Sequence, residues 1–250
     1  MARVSSITRV LQIIEAVSAA SRPLSPLDLS QMLDIPKPSM HRLIQQLQAE
    51  GFLRVDLNGT IVAASRTRHM AIHLWQSEQN AIQRISIVQR LVDELGETCG
   101  VAVPYHLKMV YTDRVQTPYP LQVYQPIGSE APMWCTATGK LYLSTLPEIE
   151  RVNTIKQLKL TRYTKNTVVN VDALINMLEK LSEQQLGIDN QEFIDEMVAV
   201  SVPINDTEGR YIASLYAHAP TVRKSLDDLI EFVPTMRQAA DDIRDAFFGE

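Results

Sequence analysis

The chain has 250 residues, of which 45% are hydrophobic, and it carries a formal net charge of −5 at pH 7. This length is sufficient for two domains that each bury a core. No apolar run reaches the roughly 20 residues that span a bilayer, and the first residues lack the apolar core of a signal peptide, so we expect a cytoplasmic protein without a membrane partner. The two cysteines match no zinc or redox spacing, and we expect neither a metal nor a cofactor.

The first 51 residues predict three helices. The first has an apolar stripe and ends before Ser21; the stripe consists of Ile7, Val10, Leu11, Ile14 and Val17. Ser25 is a favourable N-cap for the second helix, whose apolar residues are Leu29, Met32 and Leu33. The Asp34-Ile35-Pro36 segment ends that helix, because the residue before a proline is disfavoured in the α region.

The third predicted helix separates an apolar side from a polar side. Its apolar residues follow the spacing of a buried helix face: Met40, Leu43, Ile44 and Leu47. No carboxylate lies between Lys37 and Ala49. The polar side carries side chains that suit phosphate and base-edge contacts in a DNA major groove: Lys37, Ser39, His41, Arg42, Gln45 and Gln46. An ordinary amphipathic helical hairpin is the alternative interpretation.

A β-hairpin is predicted directly after the third helix. The Asp56-Leu57-Asn58-Gly59 turn is a strong hairpin signal, and we expect Asn58 and Gly59 to contact the DNA backbone or minor groove. Three helices and a hairpin in this order are typical of a winged helix-turn-helix domain, which we place at residues 1–64. The first 70 residues carry a net charge of +3 and the other 180 a net charge of −8. Because +3 is modest for a DNA-binding segment, we expect a dimer.

Residues 65–80 predict a linker helix, and residues 81–250 predict an α+β domain. Ile72 and Trp75 give the linker more than one apolar face, which would pack against a partner subunit or against the second domain. In the second domain, the patterns predict helices at 84–95, 137–146, 171–186 and 225–248, with a kink at Pro234. Strands are expected at 101–103, 109–115, 121–124, 198–204 and 211–217.

The segment 131–140 is the best candidate for a ligand site. It is rich in small residues and opens a helix, so its free backbone N–H groups would attract an anion, with Thr136 and Thr138 as further donors. Ordinary N-capping explains the same pattern. Cys135 precedes the helix, where the helix dipole would lower the pKa of its thiol. A small buried residue that lines a pocket is the alternative for Cys135.

The sequence does not predict an enzyme. Motifs of nucleotide binding, zinc proteases and serine hydrolases are absent. The alternative is a hydrolase-like domain, attached to a DNA-binding module, that uses Cys135 or the acidic residues Glu192, Asp195 and Glu196. An architectural DNA-binding protein is a third class, and the charge of −8 outside the first 70 residues argues against it.

Three stretches in the same order resemble the IclR family of bacterial transcription regulators. They are residues 36–53, 132–140 and 187–220, and the resemblance extends over essentially the whole chain. It implies a winged helix-turn-helix, a linker helix and a GAF-like effector-binding domain. It also implies operator DNA and a small organic acid as partners, and dimers formed through the DNA-binding halves, or dimers of dimers.

The resemblance also implies which residues bind the effector. By position, the family's pocket maps to Thr136, Ala137, Thr138, Asp189, Met197, Ala199, Tyr216 and His218, with Trp134 and Cys135 next to them. Trp134 stands where the family often has histidine, Ala199 where it often has cysteine, and Glu196 where glycine is frequent. Trp134, Tyr216 and His218 would narrow the pocket, and His218 would pair with a carboxylate. We therefore expect an aromatic or otherwise planar acid; a pocket filled by these side chains is the alternative.

Overall fold

Residue contacts divide the chain into two units, Met1–Ser77 and Glu78–Glu250, each with its own hydrophobic core. The computed structural model describes residues 5–20, 22–56, 58–75 and 78–248. Ser21 and Leu57 therefore lie outside the described residues, as do the side chains of Ile72 and Trp75. The predicted divisions after residues 64 and 80 remain predictions. In the described part of the chain, no helix combines the length and the apolar character needed to cross a bilayer.

The first unit has the predicted order of helices and strands. Its elements are α1 (Ser6–Ala19), α2 (Pro26–Met32), α3 (Lys37–Ala49), β1 (Leu53–Val55), β2 (Ile61–Ala63) and α4 (Ser65–Trp75). Ser25 caps α2 as predicted: its hydroxyl accepts from the N–H of Asp28 at 3.1 Å, and the Asp28 carboxylate accepts from the N–H of Ser25 at 2.8 Å. Strands β1 and β2 pair antiparallel and form the predicted hairpin.

The core of the first unit confirms the predicted apolar side of α3 and corrects that of α1. Met40, Leu43, Ile44 and Leu47 are all buried. In α1, by contrast, the fully buried residue is Ile13, while Ile7 is 72% and Leu11 is 52% exposed. The predicted stripe was therefore wrong at these two positions, because α1 is rotated to place Ile13 with Val10, Ile14 and Val17 against the core. In α2, the predicted apolar residue Met32 is 60% exposed, whereas Leu29 is buried.

The second unit is a six-stranded antiparallel sheet with helices on both faces. Its helices are α5 (Glu78–Leu95), α6 (Ala137–Thr145), α7 (Glu148–Gln157), α8 (Val171–Gln184), α9 (Leu226–Glu231) and α10 (Val233–Phe248). Its strands are β3 (Thr98–Tyr105), β4 (Lys108–Val115), β5 (Glu130–Pro132), β6 (Gly187–Asn190), β7 (Met197–Asn205) and β8 (Tyr211–Pro220). The strand order is β5-β4-β3-β8-β7-β6. Helix α6 packs on the sheet and on α8, and α10 packs on β7 and on α5.

Several predicted elements of the second unit differ from the structure. Residues 121–124 lie in the loop 116–129 and form no strand. Pro118, Pro120 and Pro126 explain this, because proline cannot donate a hydrogen bond to a neighbouring strand. The predicted helix 225–248 is two helices, and Pro234 is the second residue of α10, where no intrahelical donor is required. The prediction missed β5 and β6, which are short edge strands, and α7.

A buried ion pair joins α5 to the sheet. The Arg84 guanidinium on α5 donates to the Asp113 carboxylate on β4 at 3.0 and 3.3 Å. Both side chains are almost completely buried, with 1% and 5% exposed. Removal of one partner would leave the other charge in a region of low dielectric, which is far more costly than breaking an exposed pair.

We therefore expect Asp113→Asn to lower the free energy of unfolding by about 3–5 kcal/mol. The matched control is Glu130→Gln, which removes one partner of the exposed Lys108–Glu130 pair and should cost less than about 1 kcal/mol. Urea unfolding followed by circular dichroism measures both. Equal losses in the two variants would contradict a structural role of the buried pair.

Candidate functional site

The polar side of α3 is exposed as predicted. The side chains of Lys37, His41, Arg42, Gln45 and Gln46 are exposed, and that of Ser39 is half-buried. Helix α3 begins after Pro36, and no side chain caps its first N–H groups. The start of α3 therefore offers an exposed lysine and uncapped N–H groups, which favour contact with an anion such as a DNA phosphate.

The hairpin turn is shaped by Asp56. Its carboxylate accepts hydrogen bonds from the N–H groups of Thr60 and Asn58, both at 2.9 Å. These hydrogen bonds lower the pKa of Asp56, and the one from Thr60 has the larger effect. Asn58 and Gly59 are exposed in this turn. Arg54 on β1 is a further exposed cation that the sequence analysis missed. The signal was present, because Arg54 follows buried Leu53 in a strand, where side chains alternate between faces.

A cavity lies between the start of α6 and the sheet of the second unit. Eight of the ten residues predicted for the effector pocket line it: Thr136, Ala137, Thr138, Asp189, Met197, Ala199, Tyr216 and His218. Tyr111, Gln125 and Phe193 also line the cavity, and the sequence analysis did not name them. Gln125 belongs to the loop 116–129, in which the sequence pattern wrongly predicted a strand, so only the fold reveals its position.

The register of the sheet explains why these side chains meet. Asp189 on β6 lies opposite Ala199 on β7, and Ala199 lies opposite His218 on β8. Opposed residues project from the same face of a sheet. Tyr216, two residues before His218, shares that face and lies opposite Gly100 on β3. A Cβ atom at Gly100 would be 2.6 Å from the Tyr216 hydroxyl oxygen, so glycine is needed for the tyrosine to lie across the sheet.

Four residues of the cavity wall have a buried polar side-chain atom without a hydrogen-bond partner among the described residues: Gln125, Thr138, Tyr216 and His218. The hydroxyl of Tyr216 and Nε2 of His218 belong to side chains that are only 2% and 4% exposed. Leaving such a group unpaired costs about 1–3 kcal/mol, so the wall is suited to a polar ligand. The N–H groups of Ala137 and Thr138 also lack intrahelical acceptors, because they lie in the first turn of α6.

The His218 imidazole is neutral at physiological pH in this structure. Burial, assisted by the positive charges of Arg114 and Arg223, lowers the pKa of His218 to about 3. The predicted pairing of His218 with a carboxylate stays a prediction, because this neutral state is that of the cavity without a bound acid. A neutral imidazole still has one donor and one acceptor nitrogen, so His218 can hydrogen-bond a ligand without carrying charge.

A buried charge cluster lies next to the cavity. Lys140 on α6 forms an ion pair with Glu192, and both side chains are almost fully buried. Asp189 accepts from the N–H of Glu192 at 2.7 Å and from that of Phe193 at 3.4 Å. Burial raises the pKa of Asp189 to about 7, against the opposing effect of Lys140. Asp189 therefore titrates near neutral pH, and Glu192 is not part of a solvated acidic surface.

The cavity is narrow in this structure. Its free volume of about 270 Å³ includes space that opens to solvent, and its enclosed part admits about one water molecule. Aromatic rings fill one side: the Tyr216 ring packs edge-on against Tyr111 at 5.1 Å and lies 5.7 Å from the ring of His218. A ligand larger than water therefore requires some of these side chains to move.

Trp134 and Cys135 do not line the cavity. The indole N–H of Trp134 donates to the carbonyl of Thr161 at 3.2 Å, and its ring lines a separate surface groove with Tyr163. The predicted contribution of Trp134 to a narrow pocket was therefore wrong. Cys135 is fully buried, and burial together with the nearby carboxylates raises the pKa of its thiol. The expected lowering of this pKa was wrong, because desolvation outweighs the helix dipole, and this disfavours Cys135 as a nucleophile.

Comparison with known proteins gives matches over nearly the whole chain. Residues 6–57 match the model of the IclR helix-turn-helix domain, and residues 77–245 match that of the bacterial transcriptional regulator IclR C-terminal domain. The probable transcriptional regulator SauR of Cupriavidus necator is 35% identical over 240 residues, which cover 96% of this chain and 95% of SauR.

Solved structures share the fold. A transcriptional regulator from Rhodococcus sp. RHA1 is 21% identical and superposes with a TM-score of 0.66, with 98% of each chain covered. An IclR homologue from Microbacterium hydrocarbonoxydans, complexed with 4-hydroxybenzoate, is 19% identical with a TM-score of 0.62, and the match covers 98% of this chain and 100% of that one.

The two titrating groups of the cavity give opposite dependences of stability on pH. The pKa of His218 falls from 6.5 to about 3 on burial. As the pH is lowered below 6.5, the unfolded state therefore binds a proton while the folded state does not, and the stability of the fold decreases. The pKa of Asp189 rises from 3.8 to about 7, so stability decreases as the pH rises from about 4 to 7.

Single substitutions should separate these two contributions. Asp189→Asn should make the free energy of unfolding rise more steeply between pH 4.5 and 6.5 than in the wild type, because only the effect of His218 remains. His218→Gln should make it fall with pH over the same interval. Asp195→Asn, at an exposed carboxylate, is the matched control. Urea unfolding at several pH values measures the slopes, and parallel slopes in all variants would contradict the assignment.

Proposed function

The chain belongs to the IclR family of bacterial transcriptional regulators, and on that premise we propose that a small organic acid in the α6 cavity controls the binding of its helix-turn-helix domain to operator DNA. The observation that carries this proposal is the composition of the cavity wall. It combines unpaired buried polar atoms of Tyr216 and His218 with the free N–H groups at the start of α6. An apolar void would need neither feature.

The proposed DNA contacts lie on α3 and on the hairpin. Arg42, Gln45 and Gln46 would contact base edges, and Lys37 and Ser39 at the helix start would contact phosphates together with His41. Asn58 and Gly59, with the nearby cation Arg54, would contact the backbone or minor groove. We propose that two copies occupy one operator, since the first 70 residues carry a charge of only +3 and exposed Ile7 and Leu11 leave apolar surface on α1. DNA as partner implies a cytoplasmic site of action.

Substitutions on α3 test the DNA interface. Arg42→Ala should weaken operator binding by about 1–3 kcal/mol if the guanidinium pairs with a guanine. Lys37→Gln should weaken binding to all sequences and lower the slope of log affinity against log salt by about one. The control is Lys180→Gln, which removes an exposed lysine from the second unit. Fluorescence anisotropy on the upstream DNA measures these effects. Unchanged affinity in both α3 variants would remove α3 from the interface.

We propose that the acid places its carboxylate at the N–H groups of Ala137 and Thr138. The positive end of the α6 dipole favours an anion there, and Thr138 adds a hydroxyl donor. The Microbacterium homologue binds 4-hydroxybenzoate, and the aromatic rings of Tyr111 and Tyr216 would suit a planar acid here. Asp189 would then face a bound anion, so it would have to be protonated or to accept a hydrogen bond from a hydroxyl group of the ligand.

The protonation of Asp189 predicts a pH dependence of acid binding. With a pKa of about 7 in the free protein, binding that needs the neutral form should be about tenfold tighter at pH 6 than at pH 8. Asp189→Asn should bind with the same affinity at both pH values. Isothermal titration with 4-hydroxybenzoate and benzoate measures this. An Asp189→Asn variant that keeps the full pH dependence would exclude Asp189 as its source.

A further inference from the structure

Arg114 on β4 is a half-buried cation with no carboxylate partner among the described residues. Its Nη1 donates to the carbonyl of Gln125 at 2.6 Å, its Nη2 donates to the carbonyl of Val123, and its buried Nε atom has no acceptor there. Two other arginines near the sheet pair with carboxylates: Arg84 of α5 with Asp113, and Arg223, which follows β8, with Glu97. Carbonyl groups solvate the charge of Arg114 but do not cancel it.

The guanidinium lies on the cavity side of the sheet. Arg114 lies opposite Gly100, which in turn lies opposite Tyr216, so all three belong to one cross-strand row on one face. Because Gly100 has no side chain, Arg114 and Tyr216 are the adjacent side chains of this row. The neighbouring Asp113 points to the opposite face, where it meets Arg84 of α5. Arg114 also contributes to the lowered pKa of His218, in agreement with this position.

Gln125 connects Arg114 to the cavity. Its carbonyl accepts from the guanidinium, while the residue itself lines the cavity. The loop 116–129 is held by guanidinium groups at further points: Arg223 donates to the carbonyl of Leu121 at 2.7 Å, and Arg114 lies 5.7 Å from the centre of the Tyr124 ring. Arg114 itself is not among the cavity-lining residues, and two carbonyls of the loop accept hydrogen bonds from its guanidinium.

We propose that Arg114 is a second anion-binding residue of this cavity, and that the effector is an acid with two anionic groups. One group would bind at the start of α6, and the other would replace the carbonyls of Val123 and Gln125 on the guanidinium. A carboxylate can do so because its charge-assisted, bidentate hydrogen bonds to arginine are stronger than those of neutral carbonyls. The two points are distinct, because one lies at the start of α6 and the other lies on β4. This inference rests on the proposed acid effector.

Matched acids with one and two carboxylates test the inference. Isothermal titration of the full chain compares benzoate with terephthalate, and butyrate with succinate. The wild type should bind at least one diacid ten or more times more tightly than its monoacid. Arg114→Gln should abolish this preference and leave monoacid affinity unchanged, whereas Arg114→Lys, which keeps the charge, should retain a preference of a few fold. Arg162→Gln removes an exposed arginine of the same unit and should change neither affinity.

Hydrogen exchange gives a second readout that needs no variant. Diacid binding should increase amide exchange in the loop 116–129, because the loop loses its bonds to Arg114, and monoacid binding should not. The second site would be overturned if the wild type bound the monoacid and the diacid of each pair with equal affinity. It would also be overturned if Arg114→Gln lost the same factor of affinity for the monoacid and for the diacid. Either result would leave the acid effector intact. Binding of no acid at all would overturn the acid effector and the second site together.

Discussion

The candidate site depends on the close approach of α6 to the sheet. Gly187 on β6 permits it, since a Cβ atom there would collide with the carbonyl oxygen of Ala137 and with the side chains of Ser201 and Leu141. The approach buries Lys140 on the inner side of α6, where its charge requires the carboxylate of Glu192. That pair fixes the segment after β6, whose N–H groups bind Asp189. One packing constraint therefore places the free N–H groups of α6 and the titrating Asp189 at the same cavity.

The same arrangement leaves the cavity with an excess of positive electrostatic potential, which favours a small acid. Lys140 and Glu192 cancel each other, His218 is neutral, and Asp189 is at its titration midpoint near pH 7. The features left over are positive: the start of α6 and the guanidinium of Arg114. A diacid would gain both interactions and a monoacid only the one at α6, and either must move aromatic side chains in a nearly filled space. Because the acid fits only after these side chains have moved, it binds one conformation of the protein more tightly than the other and so shifts the population towards it.

Much of the fold was predictable from the sequence because periodicity and capping are local signals. The apolar side of α3, the N-cap at Ser25 and the hairpin were predicted correctly, and motif positions identified eight residues of the cavity wall. Rotation of α1 was not predictable, because Ile7, Leu11 and Ile13 are equally apolar and only tertiary packing selects Ile13. The thiol pKa of Cys135 depends on desolvation, which no local pattern reveals. Glu196, where the family often has glycine, adopts a left-handed φ of 58°, so that departure strains the backbone.

We propose that an acid bound in the second unit changes the affinity of the first unit for DNA. Fluorescence anisotropy of the full chain on its own upstream DNA, with and without a saturating concentration of an acid shown to bind by titration, measures this coupling directly. We expect a change in specific affinity of about 5- to 150-fold, the usual range for allosteric coupling, and no change on scrambled DNA. Equal operator affinity with and without the bound acid would contradict it.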